Sequence, residues 1–135
     1  MMPADTDYPL FVYGLLRRGM SAGLEAFVGP GAANLLCEAT LLGKLYDLGE
    51  YPGVLLDDGP SVVHGELWRV RDTGAWATLD DFEGIGPGFA EPTLYRRVLA
   101  TAQPLLGEAQ TCWVYVYNRE VGEAPRIPSG DWADR

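Results

Sequence analysis

The sequence predicts an α+β fold with a mostly antiparallel sheet, and three observations carry that prediction. Roughly six stretches have the short, β-branched and aromatic character of strands, each closed off by glycine or proline. Two short stretches have helical spacing of apolar residues, too few for a helical bundle or an alternating α/β chain. The chain has 135 residues and an ordinary hydrophobic content of 47%. That is the size of one domain, spanning 1–135, and a domain of this size buries about two-thirds of the surface its unfolded chain exposes. The pattern leaves open whether the sheet is open or closed into a barrel.

Taken in order, Pro9-Leu10-Phe11-Val12-Tyr13-Gly14 is a compact strand whose apolar run breaks at Gly14. Glycine there allows a sharp turn or the close approach of another group, and the amides of such a turn can form a small nest for an anion. An empty, tight strand exit is the alternative. Leu15, Leu16, Arg17 and Arg18 follow, then a short helix over Ser21–Phe27 that ends at Gly29-Pro30-Gly31. Leu36–Leu48 reads as a long strand or a bent pair, with Gly43 as a candidate bulge. Glu50-Tyr51-Pro52-Gly53 reads as a turn and Val54-Leu55-Leu56 as a short strand.

Val62–Val70 places Val62, His64, Glu66 and Trp68 on one face and Val63, Gly65, Leu67 and Arg69 on the other. The lone histidine fits a surface position better than a metal site. Leu94–Thr101 is a strand with Tyr95, Arg97 and Leu99 on one face. Ala109–Asn118 is the most strand-like run, with Trp113, Tyr115 and Tyr117 on one face and Cys112, Val114 and Val116 on the other. The tail through Trp132 is irregular, laid across the body and held by that tryptophan.

The short helix predicted within Arg71–Gly84 organises the rest. Asp72 or Thr73 can cap its start and Gly84 can end it. At about 100° per residue, Ala75, Trp76, Leu79 and Phe82 form one apolar arc, with Asp80 near its margin. Glu83 lies one turn past Leu79 and continues the buried stripe. Burial and the negative end of the helix dipole both raise its pKa, as suits a group that takes and returns a proton. The competing reading is a carboxylate bent to solvent or paired with an arginine. The segment Ile85–Pro92 is too rich in glycine and proline for an element, and it can close over Glu83.

Composition excludes several function classes. A net charge of −9 argues against nucleic acid and anionic membrane surfaces as partners. No apolar run approaches membrane-spanning length, and Met1–Asp7 has no signal-peptide character. The two cysteines, Cys37 and Cys112, have no short metal-type spacing and read as reduced core thiols of a cytoplasmic protein, with a disulfide as the lesser alternative. One histidine and scattered serines leave little material for a catalytic triad.

Four pieces in sequence carry a family resemblance. They are Phe11-Val12-Tyr13-Gly14 followed by Leu16-Arg17-Arg18-Gly19; Tyr51-Pro52-Gly53 with Val63-His64-Gly65-Glu66-Leu67; Leu79-Asp80-Asp81-Phe82-Glu83-Gly84 with Tyr95-Arg96-Arg97; and Val114-Tyr115-Val116-Tyr117-Asn118. In this order they resemble the gamma-glutamyl cyclotransferase-like family, over roughly Leu10 to Trp132. The resemblance implies a small mixed barrel with flanking short helices. It implies an enzyme that releases 5-oxoproline and a free amine from a gamma-glutamyl amine or amide, with no metal or organic cofactor. It places the catalytic glutamate at Glu83 and the substrate-holding loop at Tyr13, Gly14, Leu15 and Leu16. It puts Tyr95 near the pocket, with Tyr117 as a further substrate-binding candidate. The family often has Ser or Thr where this chain has Leu15, so a side-chain hydroxyl contact is lost there while a backbone amide contact survives. The alternative is a non-catalytic protein binding a small metabolite on the same fold. A plain interaction domain using Trp132 and Tyr51 as exposed aromatics is a further rival.

Overall fold

Side chains on a strand point alternately to opposite faces, so a stretch buried on both sides, such as Leu10–Val12, is apolar throughout. The computed structural model describes residues 4–14, 16–17, 23–29, 31–85, 88 and 92–134, with residue 26 described by its backbone alone. The strands are β1 (Leu10–Val12), β2 (Ala33–Asp47), β3 (Pro52–Leu56), β4 (Val62–Val70), β5 (Tyr95–Pro104), β6 (Gln110–Tyr117) and β7 (Arg126–Ile127). Helix α1 spans Gly23–Val28 and α2 spans Thr73–Phe82. Short 3-10 turns occupy Asp5–Asp7 and Trp132–Asp134.

Five strands close on themselves. β1 pairs antiparallel with β4 and parallel with β6; β6 pairs antiparallel with β5, β5 with β2, and β2 with β4. The result is a small mixed barrel, and the sheet is closed rather than open. The parallel β1–β6 pair is the one exception to antiparallel pairing among these contacts. β3 and β7 flank the far end of β2, which leaves β4 at Leu42 and takes up β3 at Gly43.

Period-two alternation sorts the side chains into two cores. Phe11, Tyr13, Leu67, Cys112, Val114 and Val116 fill one, joined by Trp132 of the tail. Leu10, Val12, Trp68, Trp113 and Tyr115 belong to the other, packed against Leu24 of α1 and Ala75, Trp76 and Leu79 of α2. The strongest strands are therefore covered on both faces. On β4, Trp68 donates its indole N–H to Glu66 at 3.0 Å, so the buried carboxylate has a hydrogen bond, while His64 is exposed. The Cys112 thiol is pushed up to about 12 by burial; Cys112 and Cys37 are both free.

Several boundaries differ from the sequence reading. β2 is one 15-residue strand from Ala33, and its irregularity falls between Leu35 and Cys37 rather than at Gly43. Gly43 pairs regularly with Leu56; a Cβ there would lie 2.8 Å from the Leu55 carbonyl oxygen, so glycine is needed because β3 crowds the backbone. Pro52 and Gly53 belong to β3, where Pro52 can open the strand without an amide to donate. The tail contains β7, and its Trp132 is buried, which removes it as an exposed docking aromatic. Phe82 leaves the apolar arc at the helix end and is 51% exposed, resting against Phe27 with ring centres 4.7 Å apart.

Candidate active site

Glu83 owes its place to the way α2 ends. Asp72 caps the start, accepting from the Gly74 amide at 3.0 Å. At the other end Gly84 takes φ +77, the left-handed conformation that glycine adopts at little cost. The Gly84 amide then donates to the Asp81 carbonyl at 3.1 Å and the Ile85 amide to the Asp80 carbonyl at 2.9 Å. This paired closure satisfies carbonyls the last turn would otherwise leave open, and it fixes Glu83 as the residue at the turn.

The Glu83 side chain faces a cavity of about 240 Å³ between the end of β1, the start of β3 and the end of α2. Its walls include Val12, Tyr13, Gly14, Pro52, Tyr95 and Tyr115, with Leu16, Tyr51, Phe82 and Leu94 also contributing. Such a volume admits a small amino-acid-sized ligand. Among the described lining residues Glu83 carries the one charged side chain. Burial, and secondly the negative charge of Asp80, raise its pKa from 4.5 to about 7. The carboxyl is thus poised between its two protonation states near neutrality.

Opposite stands the bend after β1, where the Arg17 amide donates to the Gly14 carbonyl at 3.1 Å. Gly14 is required by crowding: a Cβ there would lie 2.8 Å from Cγ of Pro52. That contact presses β1 against β3, and the Tyr95 hydroxyl donates to the Pro52 carbonyl from the other side. The Tyr13 hydroxyl donates to the Tyr115 carbonyl. Tyr13 and Tyr95 are held well above the ordinary tyrosine range, mainly by burial, with Glu83 adding to the effect. Both hydroxyl protons are committed to backbone carbonyls, so these side chains offer the cavity aromatic walls and oxygen lone pairs. Arg17 reaches away from the cavity to Asp131 of the tail, 2.8 Å distant.

Of the residues singled out in the sequence, Tyr13, Gly14, Leu16, Glu83 and Tyr95 meet around this cavity. Tyr117 does not line it; its ring packs edge-on to Tyr95 with centres 5.7 Å apart, behind the wall. Leu15 and Arg18 lie outside the described residues, as does most of the segment expected to close over Glu83. Sequence reasoning missed Tyr51, Pro52 and Tyr115 as wall residues. Tyr115 was visible as the middle of the Trp113–Tyr117 face, but alternation alone does not say which member reaches the hollow. Among the described residues, no cluster of three His, Cys, Asp or Glu side chains could hold a metal ion.

The segment 10–134 matches the family described as gamma-glutamyl cyclotransferase, AIG2-like. The chain belongs to this family. It is 35% identical over 133 residues to the gamma-glutamylcyclotransferase family protein YtfP of Escherichia coli K12, covering 93% of this chain and 96% of that one. The solution structure of Escherichia coli ytfP shares the fold, with a TM-score of 0.65, 32% identity, and coverage of 93% and 96% of the two chains. A solved gamma-glutamyl cyclotransferase superposes with a TM-score of 0.62 at 19% identity over 90% of this chain and 72% of that chain, a likeness of fold. The family-level resemblance read from the four sequence pieces and the small mixed barrel with flanking helices are both borne out.

Proposed function

We propose that this member of the gamma-glutamyl cyclotransferase family takes a gamma-glutamyl amine or amide and releases 5-oxoproline and a free amine, with Glu83 as general acid and base. The observation that carries the reading is a single carboxyl with a pKa near 7, facing a cavity bounded by the glycine bend of β1. The substrate supplies its own nucleophile. Its α-amine attacks its own γ-carbonyl carbon, a C–N bond closes the five-membered ring, and the original amide C–N bond breaks. On going from ammonium to lactam N–H the α-nitrogen sheds two protons: Glu83 carries one to the departing amine, and the second leaves on that amine as its ammonium form, so the proton count balances without a cofactor.

Ring closure is intramolecular, and holding the reacting atoms in line can supply up to about 7–11 kcal/mol of the barrier. The aromatic walls of Tyr13, Tyr95 and Tyr115 suit that task, since their burial leaves them little freedom. Amides of Gly14, Leu15 and Leu16 hold the substrate carboxylate or steady the oxyanion that develops on the γ-carbonyl. A positioned proton-transfer group is typically worth about 10²–10⁴ in rate.

Glu83→Gln tests this directly, because it keeps the shape and removes the proton carrier. With a panel of gamma-glutamyl amines and 5-oxoproline as the measured product, the folded variant is expected to lose about 10²-fold or more in kcat. A parent-like rate would exclude Glu83 as the base. A parent protein that binds such amines yet makes no 5-oxoproline would favour the binding-protein alternative.

A further inference from the structure

The end of α2 is held by more than its own cap. Arg97, on β5, is sandwiched between the indoles of Trp76 and Trp113, its guanidinium carbon 4.6 and 4.7 Å from the two ring centres. Its Nε and Nη2 meet the two oxygens of Asp80, each at 3.0 Å, and Nη2 also reaches Asp5 at 2.8 Å. A planar guanidinium gripped by a carboxylate fork between two flat rings has little freedom left. Burial opposes the charge on Arg97, but the hydrogen bonds to Asp80 and Asp5 outweigh it and hold the group protonated. The Tyr115 hydroxyl donates to the same Asp80 carboxylate at 2.7 Å. Asp80 is therefore gripped from β5 through Arg97 and from β6 through Tyr115, a residue that also lines the cavity. It stands three residues before Glu83, nearly one helical turn away.

We propose that Asp80, clamped by Arg97 and Tyr115, is the positioning residue for Glu83, registering the end of α2 over the cavity and setting a fixed negative charge against the proton-carrying carboxyl. This rests on the reading of Glu83 as the acid and base. The groups facing Glu83 are Asp80 from its own helix, Tyr13 from the end of β1, Tyr95 from β5 and Tyr115 from β6, with Tyr51 on the same cavity ahead of β3. Burial holds Tyr13, Tyr95 and Tyr115 neutral, and Asp80 is the member of that set whose negative charge raises the Glu83 pKa. A like charge nearby favours the protonated form of a carboxyl. The clamp thus does two things with one side chain. It fixes the rotation of the helix end, and it keeps Glu83 a stronger proton holder than burial alone would make it.

The test is Asp80→Asn, which keeps the shape and an acceptor for Tyr115 while removing the charge. The midpoint of Glu83 is followed by carboxyl carbon NMR, with its resonance identified by its absence in Glu83→Gln. The midpoint is expected to fall by about half a unit or more, and the acid limb of kcat/KM to move with it. Asp5→Asn, which touches Arg97 but not Glu83, should leave the midpoint in place. Should Asp80→Asn fail to fold, Tyr115→Phe approaches from the other side: Asp80 loses a donor, and the midpoint of Glu83 should rise. An unmoved midpoint in a folded Asp80→Asn, or in Tyr115→Phe where that stands in, overturns the proposal even if 5-oxoproline is still made. A shifted midpoint in a protein that makes no 5-oxoproline upholds the clamp and rejects the proposed reaction instead.

Discussion

Glu83 is a carboxyl that the folded chain prefers to keep protonated, and this has a consequence for stability. Its pKa is raised from 4.5 to about 7, first by burial and then by Asp80. A raised carboxyl pKa favours the folded state fully below about pH 4.5; that advantage is lost as pH climbs to about 7, beyond which the parent carries a constant penalty. Glutamine never ionises. Glu83→Gln should therefore match the parent near pH 4 and exceed it at pH 8, by at most about 3 kcal/mol. Chemical denaturation at the two pH values measures this, and equal stability differences at both would mean that Glu83 titrates like a surface carboxylate. A site that gains stability when its acid is removed stores strain for function rather than for folding.

At the scale of elements, α2 works as a holder whose last turn matters most. Trp76 and Leu79 anchor it, both fully buried, and Arg97 ties it to β5. The turn then reverses at Gly84, and the two amide-to-carbonyl bonds of that reversal aim Glu83 inward. Gly84→Ala isolates the backbone contribution. Its new Cβ would meet the Leu94 Cβ at 3.6 Å, an ordinary contact, so the penalty comes from φ +77 alone. The expected loss is about 1 kcal/mol, measured as a lower unfolding midpoint in urea. Because that loss falls on the residue next to Glu83, kcat should drop by more than so small a change in stability would suggest.

For the molecule as a whole, the tail completes the barrel. Trp132 is 2% exposed and packs with Phe11, Tyr13 and Val114 in the core that the strands enclose. Close by in sequence, Asp131 holds Arg17 from the bend after β1, so one tail segment both fills the core and braces the loop beside the cavity. Trp132→Ala should cost about 3–5 kcal/mol, seen as a large fall in Tm. It should also weaken substrate binding through the bend, which a surface tryptophan would not do. A variant with parent-like Tm would mean that the tail merely covers the barrel.

What the sequence determined by itself was local. The alternation of Cys112–Tyr117 and Val62–Val70 marked strands, because side chains on a pleated strand must point to opposite faces whatever lies beyond them. Asp72 and Gly84 marked the ends of α2, because capping depends on a few bonds within one turn. The position of Glu83 on the buried stripe followed from the same periodicity. Tertiary structure alone decided which faces met. Both faces of β6 are apolar, so its pattern could not tell that Tyr115 reaches the cavity while Tyr117 lies behind Tyr95. Nor could the spacing of Gly43 separate a bulge from a crowded pairing, since each demands the absence of a side chain. The clamp of Arg97 on Asp80 joins residues 17 positions apart in the chain. It exists only because barrel closure brings β5 beneath α2, and pairing of that range is set by the packing of the whole rather than by any window of sequence.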